Sequence, residues 1–207
     1  MQTAIDINVS KLIQKAINTA MTYEEYSDLM RSLVSEKKST GIEQSEDLAN
    51  YTLLNNKRMK RLGKTTKIDT NIIEKIKQVD TKITWLVLTE SWCGDAAQSM
   101  PIMQKIAEQN PNIDVKVILR DENLDIMHHF LYNNTLSIPR LIAINTNTHE
   151  VTGDWGPRPN TLTNIVEAFK TKHGSLSAEF KEKIQVWYTK DKGVNTISEL
   201  VQLLPLK

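Results

Sequence analysis

The sequence predicts an α/β fold: one mixed sheet with helices on both faces, carrying added helices at both ends of the chain. Three observations point there. Ile83–Thr89 (ITWLVLT) is a continuous apolar, β-rich run, the pattern of a central strand covered on both faces. From there to about residue 173, strand-like and helix-like segments alternate, the order expected when helices layer onto a sheet. Outside that zone the apolar spacing is helical.

In chain order, residues 1 to about 80 read as helical throughout. Thr22-Tyr23-Glu24-Glu25 has the form of a capping box, in which the Thr22 hydroxyl accepts from the Glu25 N–H and the Glu25 carboxylate reaches back. Tyr26, Leu29, Met30, Leu33 and Val34 then follow helical spacing, and Gly41 lies in the loop beyond. Ser45 or Glu46 opens a second helix toward Leu62, with Leu48, Tyr51, Thr52 and Leu54 on one side and Gly63 as its stop. Asp69 or Thr70 caps a third, turning Ile72, Ile73, Ile76 and Val79 inward. After the central strand, a helical pattern runs from Gly94 to Glu108, interrupted by Pro101. Val115–Leu119 is a second strand and Asn123–Tyr132 a second helix of this zone. Arg140–Ile144 and Glu150–Gly153 flank the polar turn Asn145–Thr148 as a hairpin. Thr161 caps a closing helix through Phe169 that stops at Gly174. Beyond Ser175, Ala178, Phe180, Ile184 and Trp187 mark a helix, and Asn195–Leu204 a last short one. The chain thus divides into a helical N-terminal extension packed on the core (1–69), an α/β domain (70–174) and a C-terminal helical extension (175–207).

Composition sets limits on what such a chain does. A 25% charged, 40% hydrophobic chain of 207 residues buries a sizeable core, and 7 Gly with 6 Pro exclude collagen-like and Pro/Gly-rich classes. One cysteine excludes an intramolecular disulfide, a Cys-only metal cluster within one chain and a self-contained dithiol cycle. No apolar run approaches the roughly 20 residues of a spanning helix, and charged residues punctuate the first thirty positions where a signal peptide would be apolar. The expectation is a cytoplasmic protein whose thiol stays reduced. A net charge of +1 argues against bulk binding to nucleic acid or to an anionic membrane.

The segment that carries chemistry is Glu90-Ser91-Trp92-Cys93-Gly94-Asp95-Ala96, between the best strand and the helix after it. A cysteine there stands at a helix N-terminus, close to unpaired N–H groups and the positive end of the macrodipole. Both stabilise a thiolate and lower the pKa from its reference of about 8.5. Gly94 has no side chain to shield the sulfur, and Trp92 offers an apolar face to a partner. Asp95 acts the other way, because a nearby carboxylate disfavours a second negative charge. The balance stays open at this level, beside the plainer alternative of a buried structural cysteine. A second feature is Ser137-Ile138-Pro139-Arg140, with proline immediately before a strand, a natural place for a cis peptide as well as for an ordinary trans one.

Trp92-Cys93-Gly94-Asp95-Ala96 together with Ile138-Pro139 resembles the thioredoxin family, whose hallmarks are Trp-Cys-Gly-x-Cys at a strand-to-helix turn and a cis-Pro opening the next-to-last strand. The resemblance covers about residues 70 to 173. More narrowly the chain looks like a bacterial thioredoxin-like branch with a helical N-terminal extension, typified by Tyr23-Glu24-Glu25-Tyr26 and Asn56-Lys57-Arg58-Met59-Lys60-Arg61. It implies a three-layer fold, Cys93 as the attacking sulfur, and substrate pairing like an added strand with the backbone at Ile138. Trp92 and Trp155 would frame the groove, with hinge packing the other reading of Trp155. Two positions depart from the family pattern. The second, resolving cysteine is Ala96 here, and the family's buried acid falls on Val87. Glu90 is closer to the site, at the exposed end of the strand, where it either relays a proton or solvates the turn.

These features leave two principal functions of different class. One is a cytoplasmic thioredoxin-fold protein whose single reactive Cys93 works in thiol–disulfide exchange or thiol redox sensing, with an external resolving thiol. Its substrate would be a protein or a low-molecular-weight thiol or disulfide. It needs no cofactor beyond glutathione or another external thiol. The other is a redox-inactive protein-binding module that uses the groove between Cys93 and Pro139. Cluster binding like that of monothiol glutaredoxins ranks third, because Gly-Asp-Ala is not their usual sequence after the cysteine. Weaker signals have plainer readings. Six positive charges between Lys57 and Lys67 read as a solvated helix end. Asp125, His128 and His129 have no further ligand in view for a metal. Arg158, between two prolines, reads as an exposed loop arginine or as an attractor for an anion such as the glutathione carboxylate.

Overall fold

The computed structural model describes residues 4–206; the helical reading of residues 1–3 lies outside them. The chain opens with helix α1 (Ala4–Thr19), a two-residue strand β1 (Met21–Thr22), and helices α2 (Tyr23–Glu36), α3 (Glu46–Thr65) and α4 (Thr70–Lys77). The alternating zone follows: β2 (Ile83–Thr89), α5 (Gly94–Ala107), β3 (Ile113–Leu119), a 3-10 turn (Arg120–Glu122), α6 (Leu124–Met127), β4 (Arg140–Asn145), β5 (Val151–Trp155) and α7 (Asn160–His173). Helices α8 (Ala178–Asp191) and α9 (Val194–Val201) close the chain. The strands form one mixed sheet in the order β1-β3-β2-β4-β5. Strand β2 runs parallel to β3 and antiparallel to β4, so it is the central strand its composition predicts. All seven of its residues are buried. Trp85, Leu86, Val87 and Leu88 are fully enclosed, each large apolar side chain contributing about 1.5–3 kcal/mol of burial.

Several caps form as the sequence reads them. Thr22 and Glu25 complete a reciprocal capping box on α2, Ser45 caps α3 through the Leu48 N–H, and Asp69 caps α4. Other boundaries differ for identifiable reasons. Strand β1 interrupts the helical N-terminal zone because Met21 and Thr22 pair antiparallel with Val117 and Lys116 at the sheet edge. Gly63 does not stop α3, which runs on to Thr65. Pro101 does not interrupt α5, which is continuous through it. The helix expected over Asn123–Tyr132 ends at Met127, after which Tyr132 and Thr135 form an isolated bridge around a turn at Asn133 and Asn134, both left-handed. Thr161 does not cap α7. The helix begins one residue earlier, Glu199 Oε1 on α9 accepts the Asn160 N–H at 2.7 Å, and the Thr161 hydroxyl bonds Asn195 instead.

A second, smaller core holds the C-terminal helices together. Leu162 and Val166 of α7 pack with Phe180, Ile184 and Tyr188 of α8, and the Phe169 and Phe180 rings stack at 3.7 Å. This cluster sets α8 across the mouth of the β2–α5 turn. The Ile138–Pro139 and Gly156–Pro157 peptides are both cis. The two loops touch at Gly156, whose φ of +118° suits glycine and where an added Cβ would stand 2.1 Å from the Pro139 carbonyl oxygen. No helix of the described residues is long and apolar enough to cross a membrane.

Candidate functional site

Strand β2 ends at Thr89, and four residues later Cys93 is the N-cap of α5. Its Sγ accepts the Ala96 N–H at 3.5 Å, and its backbone N–H bonds the Glu90 carbonyl at 3.0 Å. The Pro139 turn places the Ile138 carbonyl opposite, where it accepts the Cys93 S–H at 3.3 Å. Cys93, Ala96, Ile138 and Pro139 are buried, Cys93 at 6% exposure, while Trp92 and Gly94 are half-buried. The competing influences on the sulfur are thereby resolved. Burial first, and the Asp95 charge second, push the Cys93 thiol up to about 12, outweighing the α5 N–H groups and Arg158.

Asp95 is no free carboxylate. Its Oδ2 pairs with Arg158 Nη2 at 2.7 Å, and its Oδ1 accepts the Tyr188 hydroxyl of α8 at 3.0 Å. Burial raises its pKa against the pull of both partners, while Arg158 is held charged by the carboxylate it touches. Arg158 is therefore not an exposed loop arginine: its Nη2 is engaged by Asp95, while its buried Nε has no hydrogen-bond partner among the described residues. Glu90 is fully buried, not at an exposed strand end. Its Oε1 accepts the Asp121 N–H at 2.9 Å, so its carboxylate anchors the loop after β3. Burial pushes its pKa up, opposed by Thr40 and by that N–H.

Trp155 does not frame the groove. It is buried at the end of β5, and its Nε1 donates to Glu199 Oε2 at 2.7 Å, so it fastens α9 to the sheet. Trp92 does border the site, with the Arg120 guanidinium 5.2 Å from its ring centroid. Of the basic run, Lys57, Lys60, Arg61, Lys64 and Lys67 are exposed, but Arg58 turns inward and bonds Asn55. Asp125, His128 and His129 are exposed around α6. Among the described residues, no group of three or more His, Cys, Asp or Glu side chains could hold a metal ion.

Several residues of the site were not singled out in the sequence. Ser91 is the centre of a buried hydrogen-bond cluster. Its Oγ meets Thr40 and Thr52, its N–H donates to Thr40, and its carbonyl accepts from Asn55 Nδ2 at 2.9 Å. Helix α3 is thus fixed directly to the turn that holds Cys93. From the other side, Gln185 of α8 bonds Gln98 at 2.8 Å and lies over Gly94, where a Cβ would stand 3.3 Å from its Nε2. The space left between α3, the Cys93 turn, Ile138, Arg158 and α8 is a pocket of about 520 Å³. A signal for Asn55 existed: Leu48, Thr52, Asn55 and Met59 share one face of α3, and a polar residue on an inward face calls for a buried partner.

A family model described as thioredoxin matches residues 41–170, well over half of the chain. No curated protein matches the sequence. Among solved structures, a protein of unknown function from Pseudomonas aeruginosa superposes with a TM-score of 0.60 at 13% identity, over 90% of this chain and 93% of that one. An HIV epitope-scaffold superposes with a TM-score of 0.56 at 15% identity, over 88% and 97% of the two chains. At such identities the likeness is one of fold.

Proposed function

This chain belongs to the thioredoxin family, and on that premise we propose that it is a thioredoxin-fold binding module whose ligand enters the pocket floored by Cys93, in a reducing compartment such as the cytoplasm. The observation that carries the reading is the state of the sulfur. Cys93 is almost entirely enclosed and donates an S–H hydrogen bond to the Ile138 carbonyl. Burial pushes its pKa up to about 12, so the resting thiol is protonated at pH 7 and a poor nucleophile. Ala96, at the place of a second sulfur, is 1% exposed and closes no disulfide. Helices α3 and α8 wall the groove where a partner strand would lie along Ile138, which favours a compact ligand over an extended chain.

One observation favours a second reading, thiol–disulfide exchange with an outside thiol: Sγ caps α5, accepts the Ala96 N–H and borders the pocket. In that chemistry Cys93 Sγ attacks one sulfur of a mixed disulfide and the other leaves as thiolate. An external thiolate then attacks the adduct and releases Cys93. Turnover of a small mixed disulfide in excess external thiol, compared between the native protein and Cys93→Ser, separates the two. Equal rates support the binding module, and turnover that depends on Cys93 replaces it with exchange.

A further inference from the structure

The two arginines of the pocket differ in what they touch. Arg158 is paired with Asp95, whereas half-buried Arg58 has no carboxylate in ion-pair contact among the described residues. Its hydrogen bond runs from Nη1 to the neutral Asn55 Oδ1 at 3.0 Å. A guanidinium carries five donors and no acceptor, so most of its bonding capacity remains available. Burial and the neighbouring Arg61 both disfavour its charge, a cost that a bound anion relieves. Two donors converge above Gly94, the first residue of α5: a Cβ there would stand 3.3 Å from Gln185 Nε2 and 3.7 Å from Arg58 Nη1. Arg58 therefore overhangs a helix N-terminus at the one position of the turn that lacks a side chain, and the two features reinforce each other. Elsewhere the lining combines an apolar wall, including Leu54, Leu176 and Ile184, with the opposite charges of Lys181 and Glu182. Arg58 offers one guanidinium without a carboxylate partner, and its planar fork matches the two oxygens of a single carboxylate.

We propose that this pocket binds a small organic monocarboxylate with an apolar body, its carboxylate on Arg58 above Gly94 and its body against Leu54, Leu176 and Ile184. The proposal rests on the reading of the pocket as a binding site and names the chemistry of its ligand. A volume of about 520 Å³ accommodates a chain or ring system of ordinary metabolite size.

Calorimetric titration of the full chain with decanoate, 1-decanol and acetate tests it. Decanoate should bind at one site and slow alkylation of Cys93. Decanol should bind about tenfold more weakly, for loss of one charge-assisted contact, and acetate more weakly still. Arg58→Gln should bring decanoate down to the level of decanol, and Arg58→Lys should keep most of the affinity. Equal binding of decanoate and decanol, or decanoate affinity unchanged in Arg58→Gln, overturns the carboxylate assignment and leaves the pocket as a neutral binding site. Decanoate binding that leaves Cys93 alkylation unchanged also overturns it, because the ligand then sits elsewhere. Failure of both decanoate and decanol to bind removes the pocket reading together with the inference. If Arg58→Gln does not fold, the contrast between decanoate and decanol on the native protein still decides.

Discussion

Helices α3 and α8 wall the same pocket but are attached to it by different physics. Helix α3 reaches the turn through neutral groups: Thr52 and Asn55 meet the Ser91 hydroxyl and carbonyl in a fully buried cluster completed by Thr40. Helix α8 reaches it through a charge, with the Tyr188 hydroxyl on the Asp95 carboxylate that Arg158 neutralises, assisted by Gln185 on Gln98. The bonds of Thr52 and Asn55 to Ser91 join non-titrating groups and hold at any moderate pH. The charged attachment depends on Asp95 remaining ionised beside Arg158, and its penalty if one partner is lost is larger, because a buried charge is left without compensation. One wall is therefore a fixed part of the turn, and the other is conditional on the Asp95–Arg158 ion pair.

The largest effect is expected from breaking the charged side. Arg158→Met leaves Asp95 buried with Tyr188 as its remaining partner and should cost about 3 kcal/mol in urea unfolding at pH 7. The substitution raises the folded-state pKa of Asp95 further above its unfolded value. The contribution of that carboxyl is then fully present below the unfolded pKa and is lost as pH rises through the folded one, so the deficit should shrink in acid. Asn55→Ala, on the neutral side, leaves the Ser91 carbonyl without this donor and should cost about 2 kcal/mol. That loss should be independent of pH across the range where the Arg158→Met deficit changes. Two deficits with the same pH profile would erase the distinction between the walls.

What was legible in the sequence was local. Strand β2 announced itself by seven consecutive apolar or β-prone residues, Thr22 and Glu25 by the three-residue spacing of a capping box, and the Cys93 turn by its place between strand and helix. The partners that decide the chemistry were not local. Tyr188 is 93 positions from Asp95 and Gln185 is 87 from Gln98, and both sit on a helix whose spacing says only that it is amphipathic. The same limit explains Glu90 and Trp155. Glu90 reads as the exposed end of a strand and Trp155 as framing the groove or packing a hinge, and each is enclosed by a segment far along the chain, Glu90 by the Asp121 loop and Trp155 by Glu199 of α9. The pKa of Cys93 followed suit: helix-end stabilisation is readable from neighbouring residues, but desolvation is set by everything packed above the sulfur.

The rate of Cys93 alkylation by iodoacetamide as a function of pH tests the central claim most directly, since the thiol is the chain's single cysteine and labelling reports it alone. A resting protonated thiol with its pKa near 12 should label slowly at neutral pH, with a rate still climbing beyond pH 10 in the folded protein. A plateau reached at or below the free-thiol value of about 8.5 would contradict the binding-module reading and return Cys93 to the role of nucleophile.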